Sequence, residues 1–274
     1  MKTKLILAAL LLMATMTGMA GTKKKKQRKS TPKTEVAAPI TIPDVQLTAF
    51  APLSYGIAKS EKQHDILTGE QLGLDNGVVI YRKQVPAIEQ DCVLELQGPC
   101  DFLQVFLDQQ LFATLRATND NSRFELPSLS KGGVLTLMGD VKEPVVIHTE
   151  MDGNEVSISL KNWNTITIPD NYATASLAHN KWLTMPLQNT LLAFTRAGYY
   201  RGTFKLKRVG DARLNVKAFG RGQVFVNGQS VGRFDNLGQQ TSLTVPASCL
   251  KKGDNEVMVL DIIGPVGDPV VTGE

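Results

Sequence analysis

Flat rings and forked hydrogen-bonding side chains recur through the middle and C-terminal part of the chain: Trp163, Trp182, Tyr199, Tyr200 and Phe225, accompanied by Arg201, Asn227 and Arg233. An aromatic face stacks on the C–H side of a pyranose ring, and a guanidinium chelates neighbouring hydroxyls bidentately, so this set has the chemistry to hold a carbohydrate. Phe106 with Asp108 repeats the arrangement of Phe225 with Asn227. The same residue types also fill cores, because Trp is mostly buried in folded proteins and strand aromatics pack against facing sheets. Both readings stand at this level.

Other chemistries find less support. His64, His148 and His179 are dispersed, with neither H-x-x-x-H nor C-x-x-C spacing, so no zinc site is argued. A G-x-S-x-G elbow is absent, and Gly220-x-Gly222 leads into a hairpin and not into the helix that a phosphate loop requires. Asp140, Glu143, Glu150, Asp152 and Glu155 fall in connecting segments, where ordinary surface placement accounts for them. No catalytic residue, metal or other cofactor is expected. Three cysteines, Cys92, Cys100 and Cys249, leave at least one thiol free; the turn at Gly98-Pro99 lies too near Cys100 to bring Cys92 opposite it, so no structural disulfide is expected. Cys249, in an apolar stretch, reads as a small buried hydrophobe.

The elements that must position these residues are strands. In GRGQVFVNGQSVGRF, residues 220–234, Asn227-Gly228 separates two apolar-rich runs and suits a type I′ turn, which needs positive φ at both positions. Val224 and Val226 face one way; Gln223, Phe225 and Asn227 face the other. VFLDQQLFATL, from Val105, echoes this hairpin 119 positions upstream, and Tyr81-Arg82 precedes Tyr200-Arg201 by the same 119. A constant offset of that size matches a whole β-sandwich duplicated. EVMVLDII, residues 256–263, is apolar on both parities and is expected at a sheet centre or under the domain interface. Thr68-x-x-Gln71 has capping-box form and predicts one helical turn before Leu72.

Residues 1–20 carry Lys2 and Lys4, an apolar run too short for the ~20 residues of a membrane span, and the small-x-small ending Gly18-Met19-Ala20, the pattern of a secretory signal. Export to the periplasm or outside the cell follows, with no membrane span. Residues 21–45 are basic, proline-containing and without apolar periodicity, and read as a disordered linker. Residues 1–35 hold nine Lys or Arg and one Glu, so the net +4 of the chain leaves −4 on the remainder, which argues against nucleic acid as a partner. The first sandwich is expected over 46–165 and the second over 166–274.

The order AGYYRGTFKL (197–206), GRGQVFVNGQSVGRF (220–234) and TSLTVPASCLKKGDNEVMVLDI (241–262) resembles the C-terminal galactose-binding-like jelly roll of family 35 β-galactosidases. LGLDNGVVIYRK (72–83), FLQVFLDQQLFATL (102–115) and FELPSLSKGGVLTL (124–137) are similar to the preceding jelly roll of those enzymes. The resemblance covers roughly residues 65–265 and implies an all-β fold of two tandem jelly-roll sandwiches. It includes neither the catalytic barrel nor the paired carboxylates of a retaining glycosidase. What it implies is a non-catalytic accessory module for a galactoside or a plant or host glycan, or for a separate catalytic chain. The alternatives are an interaction remnant with no sugar affinity and a self-sufficient glycosidase.

Overall fold

The computed structural model describes residues 39–56, 59–96, 102–116, 122–139, 141, 145–151, 153–171, 182–185, 196–236 and 238–274. Strands are numbered along the chain, and every pairing is antiparallel. One six-stranded sheet has the order β3 (Lys59–Gln63), β12 (Trp163–Pro169), β4 (Gly77–Val85), β9 (Gly133–Gly139), β6 (Phe102–Leu107), β7 (Gln110–Arg116). It faces a four-stranded sheet ordered β11 (Asn154–Ser159), β10 (Val145–Met151), β5 (Cys92–Leu96), β8 (Ser122–Leu126). The second sandwich repeats the plan: β13 (Leu183–Thr184), β2 (Ala49–Pro52), β14 (Gly198–Leu206), β19 (Gly253–Asp261), β16 (Arg221–Val226), β17 (Gln229–Asp235) over β1 (Val45–Gln46), β20 (Val270–Gly273), β15 (Ala212–Asn215), β18 (Ser242–Val245). The fold is all-β, a pair of jelly-roll sandwiches.

Period-two alternation builds both cores. Tyr81, Val105, Leu137 and Trp163 fill the first, and Tyr200, Val224, Val226 and Val259 the second. Side chains of opposite parity, among them Val78, Phe106, Met138, Tyr199, Phe225, Met258 and Leu260, form a third apolar cluster where the outer faces of the two six-stranded sheets meet. A strand covered on both faces reads apolar throughout. This is why β19 carries Val257 and Val259 on one side and Met258 and Leu260 on the other.

The duplication extends to individual hydrogen bonds. Asn227 (φ 49°) and Gly228 (φ 82°) form the expected turn, and Asp108 (φ 46°) and Gln109 (φ 74°) its echo. Asp108 Oδ1 accepts the Val134 N–H at 2.8 Å, as Asn227 Oδ1 accepts the Glu256 N–H at 3.0 Å. Both hairpins bulge at the same place, Val105/Phe106 and Val224/Phe225. The Thr68 turn closes reciprocally: the Thr68 N–H donates to Gln71 Oε1 at 2.8 Å and the Gln71 N–H to Thr68 Oγ1 at 3.3 Å. Cys92 and Cys249 are buried free thiols; Cys100 lies outside the described residues.

Strand pairing departs from the sequence division in three places. The end of the stretch read as disordered linker buries Ile40, Ile42 and Val45 in the second core, because their apolar side chains close it, and residues 166–169, assigned to the second sandwich, complete β12 of the first. Residues 46–52 were expected in the first sandwich, yet β1 pairs with β20 and β2 with β14, both in the second. Val45, Leu47 and Phe50 bury in its core. By position in the sheets, β1 and β2 occupy the places that β11 and β12 hold in the first copy. The first copy runs β3 to β12 without a break. The second runs β13 to β20 and is completed by two strands from the other end of the chain, so the first sandwich sits within a connection of the second. Trp163 belongs to the first core through β12.

Candidate functional site

The outer sheet faces part at one end of the seam and leave a cleft of ≈ 540 Å³. Glu70, Asp75, Asn76, Phe102 and Asp170 border it from the first sandwich; Arg221, Gln223, Arg233 and Asp235 border it from the second. Three contacts tie its walls together. Arg233 grips Asp170 Oδ2 with Nη2 at 2.7 Å and Nε at 3.2 Å. Asp235 takes Arg116 Nη2 at 2.7 Å on one oxygen and Arg221 Nη1 at 3.2 Å on the other. The Arg221 guanidinium stands 5.1 Å from the Phe102 ring centroid, a cation–π contact across the seam.

Local backbone chemistry fixes Arg221. At the end of β19 the Asp261 carboxylate, fully buried, accepts four backbone N–H groups: Gly220 at 2.9 Å, Arg221 at 3.2 Å, Ile263 at 3.0 Å and Gly264 at 2.9 Å. Burial pushes its carboxyl up, and the four donors oppose that by favouring the ionised form. Gly222 follows in β16 because a Cβ there would stand 1.8 Å from the Leu260 carbonyl oxygen. Neighbouring Gln223 is 8% exposed; its Nε2 donates to Ser230 Oγ while its Oε1 is buried without a hydrogen-bond partner among the described residues.

Of the side chains singled out in the sequence, only Arg233 lines this cleft. Trp163 is wholly buried, its Nε1–H donating to the Leu160 carbonyl at 3.1 Å. Tyr200 is buried in the second core with its O–H donating to the Arg196 carbonyl. Tyr199, Phe225 and Phe106 are buried in the seam. None of these rings keeps a face for a sugar: Trp163 and Tyr200 pack inside the two cores, and on the outer faces each sandwich covers the rings of the other. Asn227 closes its turn, its Nδ2 donating to Cys249 O at 2.9 Å and Asn255 Oδ1 at 2.8 Å. Trp182 and Arg201 do meet: the guanidinium lies 4.5 Å over the indole and 3.9 Å from Glu256. Sequence reasoning passed over Phe102, Arg221 and Gln223. The sequence placed Gln223 on the face opposite Val224 and Val226, among Arg221, Phe225 and Asn227, and nothing in that pattern set it apart.

Tyr199 yields a test. Its hydroxyl has no hydrogen-bond partner among the described residues, and burial together with the charge of Asp170 pushes its ionisation well above the ordinary tyrosine value. Tyr199→Phe is expected to hold or raise stability by about 1 kcal/mol, since an unsatisfied buried hydroxyl is removed. The folded phenol keeps its proton while the unfolded one ionises near about pH 10, so wild-type stability falls as pH rises beyond that value. The variant should lose less over that range. A Tm several degrees lower at neutral pH would show instead that the hydroxyl is bonded.

Residues 197–255 match the family model described as the galactose-binding domain of beta-galactosidase. Beta-galactosidase 1 of Dictyostelium discoideum is 32% identical over 104 residues, 37% of this chain and 15% of that protein. Beta-galactosidase-1-like protein 3 of Homo sapiens is 27% identical over 236 residues, 80% of this chain and 34% of that protein. A lectin from Pleurotus ostreatus in complex with GalNAc overlays 85% of this chain and 81% of its own at 14% identity, with a TM-score of 0.31. The chain thus spans well under half the length of these β-galactosidase relatives. Among the described residues no helix is long and apolar enough to cross a membrane. In sequence the chain resembles the C-terminal galactose-binding domains of β-galactosidases, and residues 197–255 carry that likeness most directly.

Proposed function

We propose that this is an exported, non-catalytic β-galactosidase-like protein that binds carbohydrate in the cleft between its sandwiches. The observation that carries the reading is that the stretch matching the galactose-binding domain contains Arg221 and Gln223, which form one wall of that cleft. The cleft offers what a sugar needs: an aromatic edge at Phe102, a guanidinium beside it, and a buried amide. Export rests on the signal-like residues 1–20. The non-catalytic part rests on the resemblance, which is to a galactose-binding domain.

A shallow cleft and well-hydrated hydroxyls set affinity at roughly 10 µM to 1 mM for a mono- or disaccharide. Calorimetric titration with galactosides should give binding in that range, and Arg221→Gln should weaken it at least about tenfold. Aryl β-galactosides should not be hydrolysed, and the protein should be recovered outside the cytoplasm. Turnover that vanishes on changing one acidic residue, or no heat at tens of millimolar sugar, would reverse the reading.

One observation favours a second reading, association with a separate catalytic chain. Edge strand β7 exposes Leu111 (53%) and Phe112 (42%) beside unpaired backbone groups, a ready template for another chain. Leu111→Lys with Phe112→Lys would then abolish co-sedimentation with a barrel chain.

A further inference from the structure

We infer that the cleft prefers a saccharide bearing an amine over a neutral one, and rejects an acidic one, with the buried Gln223 amide as the group that seats it. This rests on the carbohydrate reading above and goes beyond it in naming the ligand's charge class and the residue that recognises it.

Charge is the first support. Four carboxylates, Glu70, Asp75, Asp170 and Asp235, line the cleft against the guanidiniums of Arg221 and Arg233, and Arg116 reaches Asp235 from beside it, which leaves one carboxylate in excess. Two of the four are answered, mostly across the seam: Asp170 by Arg233, and Asp235 by Arg221 and Arg116. Glu70 and Asp75, both exposed, form no ion pair among the described residues. An ammonium group entering beside them gains attraction with little desolvation, whereas a carboxylate meets repulsion from the first wall and finds each arginine already paired.

Gln223 is the independent support. It is more than nine-tenths buried and lines the cleft, and its Oε1 has no hydrogen-bond partner among the described residues. Turning the amide over does not remove the deficit. Ser230 Oγ would then donate to Oε1, and Nε2 would be left over. A buried polar atom without a partner is costly, and a hydroxyl, which both donates and accepts, answers either orientation. The hydroxyls of a pyranose supply that partner once the amide swings from Ser230 into the cleft.

The experiment follows amide chemical shifts of the full chain titrated with galactose, galactosamine and galacturonate. Screened charge pairs predict galactosamine binding roughly 3- to 10-fold tighter than galactose at low salt, with galacturonate weakest. Raising the salt from about 20 to about 300 mM should shrink that spread, because the Debye length contracts. Glu70→Gln with Asp75→Asn should bring galactosamine down to the level of galactose. Gln223→Leu, or Gln223→Met should the first fold poorly, should weaken all three sugars at least about fivefold without lowering Tm, since each removes an unsatisfied group. Binding in which galacturonate equals galactosamine, or which survives both Gln223 variants, overturns this inference alone. An absence of shifts with all three sugars overturns it together with the carbohydrate reading.

Discussion

Replacing Asp261 by Ala should cost the protein about 4 kcal/mol of stability, since it strands buried N–H groups at about 1 to 3 kcal/mol each, partly recovered by water. Four backbone donors from Gly220, Arg221, Ile263 and Gly264 converge on this one carboxylate, which with the Arg221 carbonyl, an acceptor of the Ile262 N–H at 2.9 Å, holds the loop that follows β19 against the start of β16. Asp261→Asn is the finer test. Oδ2 takes Gly220 and Oδ1 takes the other three, so an amide that keeps its oxygen in the Oδ1 position points its NH₂ at the Gly220 N–H. A cost of about 2 kcal/mol is expected from that donor–donor conflict. Urea unfolding followed by tryptophan fluorescence measures both. Losses under 1 kcal/mol would mean that water replaces the carboxylate without strain, and that it does not anchor the cleft wall.

Removal of residues 39–52 should leave the second sandwich unable to unfold cooperatively. Ile40, Ile42, Val45, Leu47 and Phe50 all bury in its core, and at about 1.5 to 3 kcal/mol each their loss matches the whole stability of an ordinary domain. The same residues should work from the opposite end of the chain. Beside β20, a Cβ on Gly273 would stand 1.7 Å from the Ile42 carbonyl oxygen, so the two segments already touch. A permuted chain that starts after residue 58 and returns through a flexible linker of about five residues to 39–56 should therefore recover a single sharp transition. Survival of that transition in the truncated protein would dismiss the strand assignment.

What could be read in the sequence was whatever depends on neighbours along the chain. The Asn227-Gly228 turn and the Thr68–Gln71 reciprocal pair are short-range patterns, and their geometry is observed. The two-sided apolar run in β19 even implied a cover on its outer face. Alternation states only which residues share a face; it does not say what meets that face. Phe225 and Tyr199 therefore looked free for a sugar, although another sheet lies on them. The cleft escaped for the same reason: its walls come from Glu70, Phe102, Asp170 and Arg221, far apart in sequence and ordinary one by one. The N-terminal strands lie upstream of the repeated motifs, so no echo pointed to them.

The closure of the second sandwich by the start of the chain also decides how the molecule answers to force. Val45 lies opposite Val271 and Gln46 opposite Val270, so both chain ends leave the β1–β20 pair on the same side. Tension between the ends then loads that pair as a zipper, one hydrogen bond at a time, and not in shear across all of them together. Once β1 and β2 have peeled away, the load reaches the first sandwich through β3 and β12, where Lys59 opposite Thr167 presents the same zipper geometry. A chain fixed at one end and pulled at the other would thus pay out in two soft stages, giving up the N-terminal strands first while the first sandwich is still intact.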